Sequence, residues 1–222
     1  MIKALVFDFD GVIVTGSNAG YLACYHQALA HVGVTIDPAL ERERILERWG
    51  MGGAEQLKWL LQEQPEKVDA AAKFFENCVS RRSFEEQIAL VPKAAQVLPE
   101  LAQTYRLAIV SGTGSGLIKR LLNRYRLAEL FPVIISSYDL PPAERKPSPL
   151  MLEAGLKALG VAPDRAWYIG DATTDLQMAK GAGVPCVIVL TGHLSQAEAE
   201  RSGASHVIPS LSDLPSLLAK AK

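Results

Sequence analysis

Cysteine is scarce in this chain. Cys24, Cys78 and Cys186 are the whole complement in 222 residues. Their number is odd and their spacing matches no metal-binding pattern. They read as free thiols in a reducing compartment, or simply as small buried hydrophobes. No Cys/His cluster points to zinc. An excess of one charge is missing too: 23 Lys and Arg are scattered among 24 Asp and Glu, for a net charge of −1. No basic run appears, so there is no broad electrostatic pull toward nucleic acid or an anionic membrane. No apolar run approaches a membrane span, and no charged leader followed by an apolar segment opens the chain. These absences predict a cytoplasmic protein with neither a nucleic-acid nor a membrane partner. Internal repeats and low-complexity segments are absent as well. Hydrophobic residues are plentiful at 49%, enough for a substantial core in one domain or two small ones.

Short β-rich runs alternate with helical stretches. Strands are expected over residues 4–9, 107–110, 133–135, 166–169, 186–190 and 206–208. Helices are expected over 94–103, 117–125, 149–159 and 175–182, with a last packing helix over 210–222. This alternation predicts an α/β fold, a doubly wound parallel sheet with helices on both faces. Continuous apolar runs such as Cys186-Val187-Ile188-Val189-Leu190 suit strands covered on both sides.

The alternation fails from about Gly16 to about Phe84. Tyr21, Leu22, Tyr25, Leu29 and Val32 recur near helical spacing there, as do Leu57, Leu60 and Leu61. The expected partition is a core of residues 1–15 and 85–222 with a helical insert at 16–84. Hinges are expected near Gly16 and between Phe84 and Pro92. Open parallel sheets bind ligands beyond the carboxyl ends of their strands. An insert leaving the first strand at that end would sit over the crevice as a lid.

The first strand delivers Asp8-Phe9-Asp10-Gly11 to its exit. Alternation on a strand leans both carboxylates to one side. Such a pair repels unless a cation or a shared proton compensates it. Three later segments reach strand ends where they could join the pair. Ser111-Gly112-Thr113-Gly114-Ser115 stands where a strand gives way to a helix, and outward backbone N–H groups there favour an anion. The same residues also suit a plain helix cap. Lys146, in Arg145-Lys146-Pro147-Ser148-Pro149, could neutralise a phosphate, or could be one more surface lysine. Gly170-Asp171-Ala172-Thr173-Thr174-Asp175 repeats the carboxylate-at-strand-exit arrangement. Asp8, the backbone of Asp10, and Asp171 make an oxygen-only donor set that suits Mg2+.

In this order, these motifs resemble the haloacid dehalogenase-like hydrolase superfamily over nearly the whole chain. Motif one is Asp8-Phe9-Asp10-Gly11-Val12 and motif two is Ser111-Gly112-Thr113. Motif three is Lys146-Pro147-Ser148-Pro149, and motif four is Gly170-Asp171-Ala172-Thr173-Thr174-Asp175. The likeness is greatest to the phosphoglycolate phosphatase and β-phosphoglucomutase-like subgroup, whose Rossmann-like core carries an α-helical cap. The resemblance implies a Mg2+-dependent phosphatase acting on a small phosphorylated metabolite. Asp8 would be the nucleophile that forms an aspartyl-phosphate, and Asp10 the general acid and base. Mg2+ would lie on Asp8, the Asp10 carbonyl and Asp171. Ser111, the Gly112 amide and Lys146 would hold the phosphoryl oxygens, with Asp175 in support.

Thr15 stands where the subgroup often has Asp, at the cap hinge. The mutase uses a cap arginine for its distal phosphate, and Gly50-Met51-Gly52-Gly53 offers none, although Arg48 or Lys58 could substitute. Cap candidates for choosing the substrate are His26, Arg48, Trp49, Gly52, Gly53 and Lys58. Each has a plainer reading as core or solvated surface. A phosphosugar mutase and a non-enzymatic binding protein are the alternative readings. Phosphoglycolate, a sugar phosphate and a nucleoside monophosphate all stay open as substrates, as do monomer and homodimer.

Overall fold

The computed structural model describes residues 1–220. The chain enters through β1 (Ala4–Phe7) and turns into the short β2 (Val14–Thr15). Helices α1 (Ser17–His31), α2 (Pro38–Glu47), α3 (Gly53–Leu60), α4 (Val68–Val79) and α5 (Arg82–Glu85) follow without a strand between them. After β3 (Ala89–Leu90), helices and strands alternate: α6 (Ala94–Ala102), β4 (Arg106–Ser111), α7 (Ser115–Arg124) and β5 (Val133–Ser136). Then come α8 (Pro149–Leu159), β6 (Ala166–Gly170), α9 (Thr173–Gly181) and β7 (Cys186–Val189). The chain closes with α10 (Gln196–Arg201), β8 (His206–Ile208) and α11 (Leu214–Lys220). The helix expected over 210–222 is thus α11 as far as residue 220; residues 221 and 222 lie outside the described ones.

The parallel sheet runs β5-β4-β1-β6-β7-β8. Phe7 is in register with Ile109 of β4 and Ile169 of β6, so the three central strands end level with one another. Strand alternation sorts the side chains into two cores. Leu5, Phe7, Leu107, Ile109, Trp167 and Ile169 bury into one face with α6, α7 and α11. Ala4, Val6, Ala108, Val110, Ala166 and Tyr168 bury into the other with α8 and α9. This is the doubly wound α/β arrangement that the continuous apolar strands predict. The reversal of strand order falls at β1, and such a switch point opens a crevice at the carboxyl ends of the strands.

Local chemistry sets several boundaries. Helix α8 starts with Pro149 in its first turn and stops at Gly160, whose φ of 64° is left-handed; proline tolerates the first turn and glycine the left-handed stop. Helix α2 starts at Pro38 behind Asp37, whose carboxylate accepts from Ala39 N at 3.0 Å and Leu40 N at 3.1 Å. The two expected hinges contain a feature the sequence pattern did not show. β2 and β3 pair antiparallel, Val14 opposite Leu90 and Thr15 opposite Ala89. The outgoing and returning connections of the helical insert are therefore tied side by side.

The cysteine expectation is overturned for two of the three residues. Cys24 of α1 and Cys78 of α4 form a disulfide, with Cα atoms 5.7 Å apart across a sequence separation of 54. The packing of α1 on α4 brings them together: Tyr25 and Phe75, neighbours along the same two helices, stack at 4.3 Å between centroids. Cys186 is free and buried in β7. Disulfides persist in oxidising surroundings, so the cysteines no longer argue for a reducing compartment. No helix among the described residues is long and apolar enough to cross a membrane.

Replacing Cys24 and Cys78 together by alanine is expected to cost about 2–4 kcal/mol of stability in denaturant unfolding. Reductant should lower the wild-type midpoint similarly and leave the double variant unmoved. A wild-type midpoint indifferent to reductant would contradict the bond.

Candidate active site

The motif residues meet at the carboxyl end of the sheet. Asp8 follows β1 directly, and its N–H donates to the Ile169 carbonyl at 2.8 Å. Strand pairing thus fixes its backbone, although β1 ends at Phe7 rather than at residue 9. Asp10 lies in the turn beyond. There Gly11 has a φ of 76°, and a Cβ on it would stand 2.5 Å from Asp171 Oδ2. Only glycine fits that backbone and that approach. Asp8 and Asp10 line the same cavity, with Ser111 and Gly112 on its rim. A loop, not strand alternation, brings the two carboxylates together.

Lys146 is buried and touches two carboxylates. Its Nζ is 3.0 Å from Asp8 Oδ1 and 2.7 Å from Asp175 Oδ1. The surface-lysine alternative is therefore excluded. Burial alone would lower its pKa, but Asp175 and Asp8 outweigh burial and raise it, so the lysine is charged. Asp175 is fully engaged. Its Oδ2 accepts from the N–H groups of Asp171 at 2.9 Å and Ala172 at 3.1 Å, and the Tyr168 hydroxyl lies 3.0 Å from its Oδ1. Asp171 sits just past β6 and accepts from His193 N at 2.8 Å.

Asp8, Asp171 and Asp175 bring carboxylate oxygens within 4.8 Å of one another. Four carboxylates, counting Asp10, face a single lysine. Burial raises the Asp8 pKa to about 6, with Lys146 opposing and Asp175 adding to the rise. Burial pushes Asp171 well above the carboxylate range, helped by Asp175 and Asp8. Asp10 is raised as well, chiefly by burial, with the hydrogen bond from Thr113 offsetting part of it. Among the described residues, Lys146 is the one partner of Asp8 Oδ1, and Asp10 Oδ1 is buried without a hydrogen-bond partner. The site is short of positive charge.

Comparisons with known proteins agree with this geometry. The sequence profile described as haloacid dehalogenase-like hydrolase matches residues 5–189. The chain belongs to the haloacid dehalogenase-like hydrolase family. Phosphoglycolate phosphatase of Shigella boydii serotype 4 (strain Sb227) is 28% identical over 96% of this chain and 91% of its own length. That of Escherichia coli (strain K12) is 27% identical over the same shares. These relatives place the chain among the phosphatases of the family. Among solved structures, a hydrolase from Pseudomonas syringae superposes with a TM-score of 0.84 at 25% identity, covering 98% of each chain.

An oxygen-only donor set suits the Mg2+ expected in this hydrolase family. Asp8 and Asp171 fit that role: burial, with neighbouring carboxylates, raises both, and a cation beside them would offset that cost. Asp175 does not need to join them, since its oxygens are spent on Lys146, Tyr168 and two backbone N–H groups.

The cap candidates divide. Trp49 and Gly53 line the cavity above Asp8. Gly52 stands one residue back, at the start of α3. His26 is exposed and pairs with Glu41 at 3.1 Å. Arg48 packs its guanidinium 4.8 Å from the Trp59 ring and faces a different cavity of about 460 Å3. Lys58 is on the surface. Helix rotation settles these outcomes, and spacing alone did not separate the inward from the outward residues.

Three contributors escaped the sequence reading: Thr113, Tyr21 and His193. Thr113 donates its hydroxyl to Asp10 Oδ2, and Tyr21 of α1 lies 3.3 Å from that hydroxyl. The hydroxyl of Thr113 in motif two was the available signal. His193 and its neighbours follow β7, so another strand exit followed by a Thr-Gly turn could have drawn attention to them.

Asp8 sets the sign of a pH effect. Its folded pKa of about 6 lies above the ordinary 3.8. In the metal-free protein its contribution to stability is complete below the lower value and is lost as pH rises through the upper one. Mg2+ binds the ionised form, so its stabilising effect should grow across the same window. At about 100 times Kd it should add about 2.7 kcal/mol near neutral pH. Thermal melts with Mg2+ or EDTA should show a clear Tm rise at pH 7.5 and a much smaller one at pH 5. Asp171→Asn should remove the rise. An equal shift at both pH values would count against Asp8 as a ligand.

Proposed function

We propose that this protein is a Mg2+-dependent phosphatase that hydrolyses a small phosphate monoester through an aspartyl-phosphate. The observation that carries the reading is the buried Asp8–Lys146–Asp175 array opening into a cavity beside Asp10, Ser111 and Gly112. The relatives' name supports the reaction class, with phosphoglycolate as the reference substrate. In the reading proposed, residues 16–84 form a cap over a core of 1–15 and 85–222. The proposed setting is the cytoplasm, where the Cys24–Cys78 bond would be exposed to reduction.

Asp8 attacks phosphorus and takes the phosphoryl group, splitting one hard displacement into two easier ones. Ser111 and the Gly112 N–H hold phosphoryl oxygens, and Lys146 supplies a fixed positive charge beside the nucleophile. Asp10, whose raised pKa favours a carried proton, gives it to the leaving oxygen. Asp10 then takes a proton from the water that attacks the aspartyl-phosphate. Asp8, the Asp10 carbonyl and Asp171 would hold Mg2+, which would supply positive charge between an ionised nucleophile and an anionic phosphate. Asp175 keeps Lys146 in place.

Support for the phosphosugar mutase is weaker. The two residues that could replace a cap arginine, Arg48 and Lys58, lie away from the cavity. A non-enzymatic binding role would leave the full set of acids without a use.

The test is phosphate release from a panel of small esters, with Mg2+ and with EDTA. Asp8→Asn is expected to lower kcat by about 10⁴-fold or more while keeping the wild-type fold by circular dichroism. Substantial residual turnover in a clean preparation removes Asp8 from the nucleophile's role. Asp10→Asn should slow alkyl phosphates by about 10²–10⁴-fold and p-nitrophenyl phosphate far less. Equal losses for the two leaving groups would sink the general-acid assignment.

A further inference from the structure

The cavity above Asp8 has a volume of about 430 Å3. That is the scale of pockets holding whole drug-sized ligands, roughly 300–1,000 Å3. A phosphorylated two-carbon acid leaves most of it to water. Its walls are largely aromatic: Tyr21, Tyr25, Trp49, Phe75 and Tyr138 line it. Tyr25 and Phe75 stack at 4.3 Å as core rings, 5% and 2% exposed, behind Tyr21, so the ring surface open to the cavity comes from Tyr21, Trp49 and Tyr138. Met51 and Leu117 add further apolar lining.

The charges in this space have one dominant sign. Asp8, Asp10 and Glu76 line it, and among the described residues Arg120 is the one cationic side chain on its wall. Arg120 is already committed, 3.0 Å from Glu85. Arg145, behind the Tyr138 side, is paired with Glu55. No uncommitted cation among the lining residues answers a second anion on the substrate, and Glu76 would repel one. An unpaired charge brought into such a site loses hydration without compensation.

We infer that the substrate is a phosphate monoester of a ring-bearing alcohol with no second anionic group, its ring lying against Tyr21 and Trp49. This rests on the phosphatase reading and sets the substrate apart from phosphoglycolate. Aromatic contact supplies the binding surface, and Glu76 discriminates against carboxylated esters. Discrimination of this kind works by penalising the wrong ligand as well as holding the right one.

Four primary-alkyl phosphates separate the two requirements: benzyl phosphate, 4-carboxybenzyl phosphate, ethyl phosphate and phosphoglycolate. With the full chain and Mg2+, benzyl phosphate is expected to exceed ethyl phosphate in kcat/KM by about tenfold or more, the effect of a buried ring. The added carboxylate should cost about tenfold. Glu76→Lys should raise the ratio of 4-carboxybenzyl to benzyl phosphate turnover, and Trp49→Leu should narrow the ratio of benzyl to ethyl. Turnover led by phosphoglycolate, or ratios that neither variant moves, overturns the inference and leaves the phosphatase reading standing. Silence on all four esters and on p-nitrophenyl phosphate overturns both.

Discussion

The buried contact of Lys146 with Asp8 and Asp175 is the constraint on which the site depends. An ammonium taken out of water is costly, and burial is tolerable here because carboxylates stand at 3.0 and 2.7 Å. Its value is not chiefly stability, since buried ion pairs often no more than recover their desolvation cost. Its value is registry. Asp8 leaves β1, Lys146 precedes α8 and Asp175 lies in the first turn of α9, so one lysine locks three elements together at the carboxyl end of the sheet. Asp175 extends the lock by accepting the Asp171 and Ala172 N–H groups. A change in any of these residues would strand at least one buried charge.

The same cluster leaves a deliberate shortage. Lys146 satisfies Asp175 and part of Asp8, while Asp171 and Asp10 have only hydrogen-bond donors for company. Raised carboxylate pKa values express that shortage as a demand for positive charge. The protein alone does not separate Asp8 from Asp10 in acidity, because burial raises both. A cation next to Asp8 would lower that group selectively, while burial keeps Asp10 raised despite the opposing Thr113 hydrogen bond. The division of labour between two similar carboxylates therefore rests on asymmetric surroundings rather than on residue type.

Much of the core was legible because physical rules act locally there. The central strands carry continuous apolar runs, and Pro149 and Gly160 bracket α8, so its limits follow from the chain itself. Three of the four motif segments could be placed because each adjoins a strand end; the expectation fails for Lys146, which lies ten residues past β5, just before α8. Two-residue strands have no period to detect, which explains why β2 and β3 were not anticipated. The disulfide escaped because its partners lie 54 residues apart and an odd cysteine count suggests no pairing. In the cap, Arg48 and Lys58 share a neighbourhood with Trp49 and Gly53, yet tertiary rotation turns the cations away from the cavity. Charge in the cap could be counted in the sequence, but its direction could not.

That direction bears on how the cap and the core act as one site. The Trp49 carbonyl accepts from Thr174 at 2.8 Å, and Gly53 N donates to the Tyr138 hydroxyl at 3.2 Å. The Gly50 carbonyl approaches Gly112 so closely that a Cβ there would stand 2.6 Å from it. Gly112 thus lets the cap loop seat directly on motif two, and in the proposed mechanism its N–H would hold a phosphoryl oxygen. Tyr21 continues the connection, reaching from α1 to the Thr113 hydroxyl that donates to Asp10. The cap therefore contacts motif two and the hydrogen-bond environment of Asp10 together. In the proposed mechanism, a leaving group that fits the aromatic wall would favour the seated cap, which adds to the buried surroundings of Asp10. Recognition of the alcohol and readiness for proton transfer are coupled through the same few contacts.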